Sequence, residues 1–322
     1  MASVTFDDTD TAGGDAFSLA HISDPHISCI DDIRPGQLLS KRLFGYLKWR
    51  LHRAAEHHSG ILKALQHDLA ETRPDHVAVT GDLTHLSLPA EFRKTRRWLE
   101  SLGGPGRVTV IPGNHDTYVK TDWHQTLAHW AAYMRSDGAQ SSQSPAAGIE
   151  NIFPSLRLRN RIALIGVCTA VPTAPHLATG TIGELQLRKL ETLMAECAGR
   201  NLFRIVLIHH PPAPGTVSWR KRLTDAPALG SLLARYGAEL VLHGHAHTSD
   251  LNNLKTPDGR VAVIGIPSAS ALGHTTRSRA RYIIYHITPG ASGWQLRLEV
   301  RLYSPEKNRF IVEQAHPFSL KP

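Results

Sequence analysis

The feature that most restricts this chain is the placement of its histidines and carboxylates, which collect immediately after short β-branched runs instead of spreading over helix faces. Five such clusters occur in order: Asp24-Pro25-His26, Gly81-Asp82, Gly113-Asn114-His115-Asp116, His209-His210 and His243-Gly244-His245-Ala246-His247. The runs before them, 17–22, 76–80, 108–111, 204–208 and 240–242, read as buried strands, as does 161–167. Any one of these histidines is ordinarily a structural or surface residue. Five clusters in this order, all at strand ends, instead point to a metal centre.

The spacing supplies the chemistry. Asp24 and His26, two residues apart in extended chain, project to the same side and can grip one ion, and His245 with His247 repeats the arrangement. Asp82 follows a glycine that allows a sharp turn, and a carboxylate with two oxygens can bridge two cations. Asn114 offers an amide oxygen and His115 an imidazole, with the Asp116 carboxylate expected to orient that ring. Donors of nitrogen and oxygen only suit Mn, Fe, Zn or Co and exclude ions selected by thiolate.

Apolar residues at helical spacing, Ile61, Leu62, Leu65 and Leu69, then Leu187, Leu190, Leu193, Met194 and Cys197, predict two helices between strands. Thr181 with Glu184 predicts a capping box at the start of the second. Alternating strands and helices argue for α/β layering, and the C-terminal 260–315 should add antiparallel strands. The Ser-, Ala- and Gln-rich stretch 136–148 reads as an exposed loop, and residues 1–14 as a flexible N-terminus before one domain over 15–322. With 41% hydrophobic and 20% charged residues the chain can bury a large core, and nothing in it approaches the roughly 18 apolar residues of a membrane span.

The formal charge, 36 − 28 = +8, favours an anionic partner. Three scattered cysteines without CxxC spacing indicate neither a disulfide framework nor a zinc cage. The acidic N-terminus lacks the basic and apolar regions of a signal peptide, so the expected location is the cytoplasm.

Together the blocks D-x-H, G-D, G-N-H-D, H and G-H-x-H, running from Asp24 to His247, resemble those of the calcineurin-like metallophosphoesterases, of the dinuclear metal phosphodiesterase type. That resemblance implies a four-layer αββα sandwich, two mixed sheets flanked by helices, with two divalent ions at the strand ends. It implies one ion held by Asp24, His26, Asp82 and His247, and another by Asp82, Asn114, His209 and His245. It also implies hydrolysis of a phosphodiester or pyrophosphate by a hydroxide bridging the two ions, with His115 stabilising the transition state or protonating the leaving oxygen. His85, His210 and His243 are expected to pack around the ligands, and Cys29 to act as a small buried residue.

Substrate choice should come from segments between the blocks. The unusual one is a basic helical insert near 38–58, where Leu43, Leu47 and Leu51 recur every four residues and Lys48, Arg50 and Arg53 point elsewhere. It reads either as a surface helix packed on the core or as a cap that meets an anionic or lipidic substrate at a membrane surface, aided by Trp219-Arg220-Lys221-Arg222. A basic insert of this kind is similar to those of the UDP-2,3-diacylglucosamine pyrophosphohydrolases. Cyclic-nucleotide phosphodiesterases share the same blocks. Nuclease or nucleic-acid binding is the reading from another class, which the dispersed basic residues disfavour.

Overall fold

The computed structural model describes residues 16–29, 33, 35–38, 40–50, 56–138, 148–257, 259–290 and 293–319. The expected N-terminal segment 1–14, most of the loop 136–148 and, within the insert, Leu51 and Arg53 lie outside the described residues.

Two six-stranded sheets are stacked between helices, the four-layer arrangement expected. The first sheet runs in the order β12-β11-β10-β1-β2-β3, with β1 Phe17–Ile22, β2 His76–Val79, β3 Val108–Val110, β10 Arg281–Gly290, β11 Gly293–Ser304 and β12 Arg309–Phe318. In it β1 pairs parallel with β2 and antiparallel with β10, so Ala20 lies between Val77 and Ile284. The second sheet runs β4-β5-β6-β7-β9-β8, with β4 Ser155–Arg159, β5 Ile162–Val167, β6 Phe203–Ile208, β7 Leu240–His243, β8 Asp250–Thr256 and β9 Gly259–Gly265. Its four central strands, β5, β6, β7 and β9, are parallel.

Strand alternation sorts the core. Ile162 and Leu164 of β5, Ile205 and Leu207 of β6, and Leu240 and Leu242 of β7 join Leu19, Val77 and Val108 of the first sheet in one buried cluster. The intervening Ala163, Ile165, Val206, Ile208 and Val241 point the other way, into a second cluster. There they meet Leu190, Met194 and Cys197 of α5 (Glu184–Gly199) and Leu229 and Leu233 of α6 (Ala226–Tyr236). On the opposite face α2 (Ser59–Thr72) buries Ile61, Leu62, Leu65 and Leu69 as the spacing predicts, beside α3 (Pro89–Leu102). Two short helices complete the set, α1 (Arg42–Lys48) in the insert and α4 (Ala131–Met134) after β3.

Three expectations are corrected. The start of α5 has no capping box at Thr181: Gly183 takes the N-cap position, and the Asp225 carboxylate accepts the Ile182 and Gly183 N–H groups at 2.9 and 2.8 Å. Thr181 is drawn instead into a hydroxyl pair with Thr224. The stretch near 261–266 does not join the antiparallel C-terminal strands, because β9 lies parallel to β7 in the other sheet. The insert helix is not laid on the protein by its leucines: Leu43 and Leu47 are exposed, whereas Tyr46 and Trp49 pack on Leu86 and Leu88. Gly45 is what lets α1 approach, since a Cβ there would stand 2.6 Å from Leu86 and 2.9 Å from the Tyr118 hydroxyl.

One buried polar contact ties α2 to the first sheet. Asp68 accepts hydrogen bonds from the Tyr282 hydroxyl on β10 and from Arg301 of β11 through Nε and a terminal nitrogen, at 2.7 and 2.8 Å. Asp68→Ala leaves the mostly buried Arg301 short of its main partner and should cost about 3 kcal/mol. A fall in the urea midpoint at unchanged slope is the check.

Candidate metal centre

All five clusters emerge at one rim, because the C-terminal ends of the parallel strands β1, β2, β3, β6 and β7 point the same way. The rim joins both sheets. The Thr80 carbonyl, after β2, accepts from His209 Nδ1, after β6, at 2.7 Å.

Within the rim the predicted ligands fall into the two predicted groups. Donor atoms of Asp24, His26, Asp82 and His247 lie within 4.8 Å of one another, and so do those of Asp82, His209 and His245. His247 Nε2 stands 3.1 Å from both Asp24 Oδ1 and His26 Nε2. Two donors about 2.1 Å from one ion and at right angles are ~3.0 Å apart, so these nitrogens and this oxygen are spaced as co-ligands. The Asn114 amide oxygen lies 3.2 Å from His209 Nε2, and Asp82 Oδ1 lies 3.4 Å from that nitrogen.

In three of the four candidate rings the other nitrogen is engaged, which fixes which nitrogen is offered to the centre. His209 Nδ1 donates to Thr80, leaving Nε2. His245 Nε2 meets the Lys221 carbonyl at 3.0 Å, leaving Nδ1. His26 Nδ1 faces the Thr84 carbonyl at 3.3 Å, leaving Nε2.

The backbone bends to make this possible. Among the described residues, eleven non-glycine residues have positive φ, and five of them are predicted ligands: Asp24, His26, Asp82, His245 and His247. Such left-handed residues cost free energy and concentrate where geometry is imposed by function. The glycines of the blocks serve close approach. A Cβ at Gly113 would run into Asp82, and one at Gly244 into Ser23 and Asp24.

The electrostatics fit cations. Asp24 and Asp82 are 0 and 1% exposed, and among the described residues their only ion-pair partners are histidines, with no Lys or Arg. Burial alone would raise the Asp24 carboxyl, but the adjacent His247 overcomes it and holds Asp24 below the usual range. At His209 burial acts downward, yet the charges of Asp82 and Asp24 push the imidazole up to about 9. His245 stays well below its ordinary value, chiefly through burial. Unbalanced carboxylates beside nitrogen donors form a set that suits divalent ions.

His115 stands beside both groups. Its N–H donates to Asp82 Oδ1 at 2.7 Å, its Nδ1 meets the His85 carbonyl at 2.6 Å, and its ring is stacked between His85 and Tyr118. The expectation that Asp116 orients this ring is therefore corrected. The Asp116 oxygens accept from the Leu83, Thr84 and Gly113 N–H groups and from the Thr84 hydroxyl, so it ties two loops together. Burial, then the Asp82 charge, raise its carboxyl to about 7.

His85 and His210 pack against the centre as expected, His210 at 4.4 Å from the His245 ring centroid. His243 is buried and faces Asp250, and Cys29 is half-buried. His57 was not anticipated: its ring lies 4.7 Å from that of His26, and Nδ1 meets Ser270 Oγ at 2.8 Å. It lies in the insert, outside any block, so no spacing signalled it.

Beside His115 a cavity of about 380 Å³ opens, lined by Asn114 and Tyr118, by Lys41 and Phe44 of the insert, and by Arg220 and Lys221. Residues of the insert thus border the candidate centre.

Comparison with known proteins identifies the family and the fold. The family model for calcineurin-like phosphoesterases matches residues 17–249. A cAMP/cGMP dual specificity phosphodiesterase of Mycobacterium tuberculosis is 27% identical over 238 residues, 72% of this chain and 62% of that protein. The cyclic adenosine monophosphate phosphodiesterase CpdA of Escherichia coli is 27% identical over 198 residues, 60% of each. The match thus spans about three-fifths of the length of these relatives. Among solved structures, a dimetal phosphatase from Danio rerio aligns over 94% of this chain and 99% of its own, with TM-score 0.55 and 12% identity. A purple acid phosphatase from yellow lupin seeds aligns over 95% of this chain and 54% of its own, with TM-score 0.57 and 13% identity. These two likenesses concern the fold alone.

Asp82→Asn removes the carboxylate common to both groups. Protein purified with Mn or Zn should carry less than about one-tenth of the parent's metal by elemental analysis, while His115→Ala keeps the parent's content.

Proposed function

Because the chain belongs to the calcineurin-like phosphoesterase family, we propose that it is a metal-dependent phosphodiesterase whose substrate is a cyclic nucleotide. The observation that carries the chemistry is the pair of donor groups sharing Asp82 at the strand ends, with no Lys or Arg paired to their carboxylates among the described residues. The substrate is suggested by the named activities of the two bacterial relatives.

In this reading Asp24, His26, Asp82 and His247 hold one divalent ion, and Asp82, Asn114, His209 and His245 hold the second, drawn from Mn, Fe, Zn or Co. Ions bound there supply Lewis acidity, lowering the pKa of water and neutralising phosphoryl charge.

The chain's own part is orientation and proton transfer. With Nδ1–H donating to the His85 carbonyl and the ring stacked on His85 and Tyr118, His115 in its imidazolium form would present Nε2–H as donor of the proton that the leaving oxygen requires, becoming neutral as it gives it up. Asp116 serves as a positioning residue, fixing the loop that carries His115 against the Gly81–His85 turn. Arg220 and Lys221, on the cavity wall, favour an anionic phosphate ester. The buried thiols Cys168 and Cys197 accord with a reducing compartment such as the cytoplasm.

Metal-free protein supplied with Mn, Co or Zn should hydrolyse an aryl phosphodiester and cyclic AMP, and lose both activities in EDTA. His115→Ala, with its metal intact, should lower kcat by about 10²–10⁴-fold. Unchanged kcat would remove His115 from the chemistry, and inactivity toward every diester with metal bound would sink the phosphodiesterase reading.

A further inference from the structure

Around the cavity mouth the surface changes character. Leu43, Phe44 and Leu47 of α1 are 44, 54 and 46% exposed, and Trp219, in the 3-10 turn Trp219–Lys221 whose Arg220 and Lys221 line the cavity, is 60% exposed. These are four of the eight large hydrophobic residues exposed among the described residues, and the other four are scattered over separate elements. Leu43 and Leu47 are one helical turn apart, so α1 turns an apolar side outward. A surface helix ordinarily does the reverse, and this outward face pays a solvation cost unless something covers it.

The charge around that face is of one sign. Arg50, Arg220, Lys221 and Arg222 are exposed. No carboxylate occurs between Asp32 and Glu56, nor between Glu196 and Asp225, the two segments that carry the rim. Exposed leucines, an indole and flanking cations without acids suit shallow entry into an anionic bilayer. Aliphatic groups reach the acyl boundary, the indole sits among headgroups, and the cations meet lipid phosphates. A nucleic acid would use the cations and the indole but leave the leucines in water.

We propose that the rim formed by α1 and the Trp219–Lys221 turn docks on an anionic phospholipid surface, setting the cavity mouth against the bilayer. The inference goes beyond the phosphodiesterase reading and is tested without turnover, so either can fail alone.

The experiment is co-sedimentation of the full chain with vesicles of phosphatidylcholine, alone or mixed with phosphatidylglycerol. Mixed vesicles should bind at least about tenfold more strongly, and added salt should weaken the binding. The double variant Leu43→Ser/Leu47→Ser should partition about tenfold less, and Trp219→Ser several-fold less, both with parental circular dichroism and metal content. Equal binding by the leucine variant, equal binding to neutral and mixed vesicles, or no sedimentation at all would overturn the proposal, whatever RNA or protein the chain retains. So would loss of metal content together with vesicle binding, which would assign the leucines to the cap's own packing.

Discussion

The Asp24 and Asp82 carboxylates lie buried at the strand ends, and among the described residues imidazoles are their only ion-pair partners, a constraint from which the architecture of the rim follows. A carboxylate taken out of water costs several kcal/mol unless donors or cations surround it. Donors must therefore converge. Asp24 Oδ2 accepts from the Ser23 hydroxyl and the His245 N–H, and Asp82 Oδ1 from the His115 N–H. Those donors come from separate strands, so the strand ends must close to one point. That closeness explains the left-handed ligands and the glycines with no room for a side chain.

This convergence also explains what was legible in the sequence. A candidate ligand must be of a particular residue type and stand immediately after its strand, so the five clusters could be read and, with the resemblance, gave the set Asp24, His26, Asp82, Asn114, His209, His245 and His247, whose donor atoms the structure brings together. The central strands and α2 were legible for a related reason, since each buries both faces or a full stripe. Edge strands carry no such mark. β8 reads Asp-Leu-Asn-Asn-Leu-Lys-Thr with alternating exposure, and those polar residues are poor strand formers except where a neighbour supplies the ladder. His57 and the α1 orientation were hidden because they depend on what lies opposite them in space.

Asp116 shows the limit of a motif most clearly. Its place beside His115 suggests a direct partnership, but in a tight turn neighbouring side chains diverge, and the carboxylate is saturated by amides from two loops. The ring is oriented by a backbone carbonyl, at His85, which no residue type announces. A carbonyl leaves the imidazole less basic than a carboxylate would, and it adds no negative charge beside Asp82. Asp116 contributes by fixing the loop, with its own ionisation suppressed by burial and by Asp82.

The cap is fastened by the same economy of charge. Lys41 Nζ donates to Thr173 and to the Leu177 carbonyl, and Arg42 to the Leu86 and Ser87 carbonyls. The 173–178 segment continues this contact, because Ala178 N–H donates to the Arg220 carbonyl and the next carbonyl, that of Lys221, holds the His245 ring. The helix that lines the cavity and a candidate metal ligand, His245, thus share one chain of packed backbone. Carbonyl acceptors satisfy Lys41 and Arg42 without cancelling their charge, whereas carboxylates would have cancelled it. The rim keeps its positive potential above a candidate centre rich in carboxylates, which favours an anionic ligand in the cavity between them.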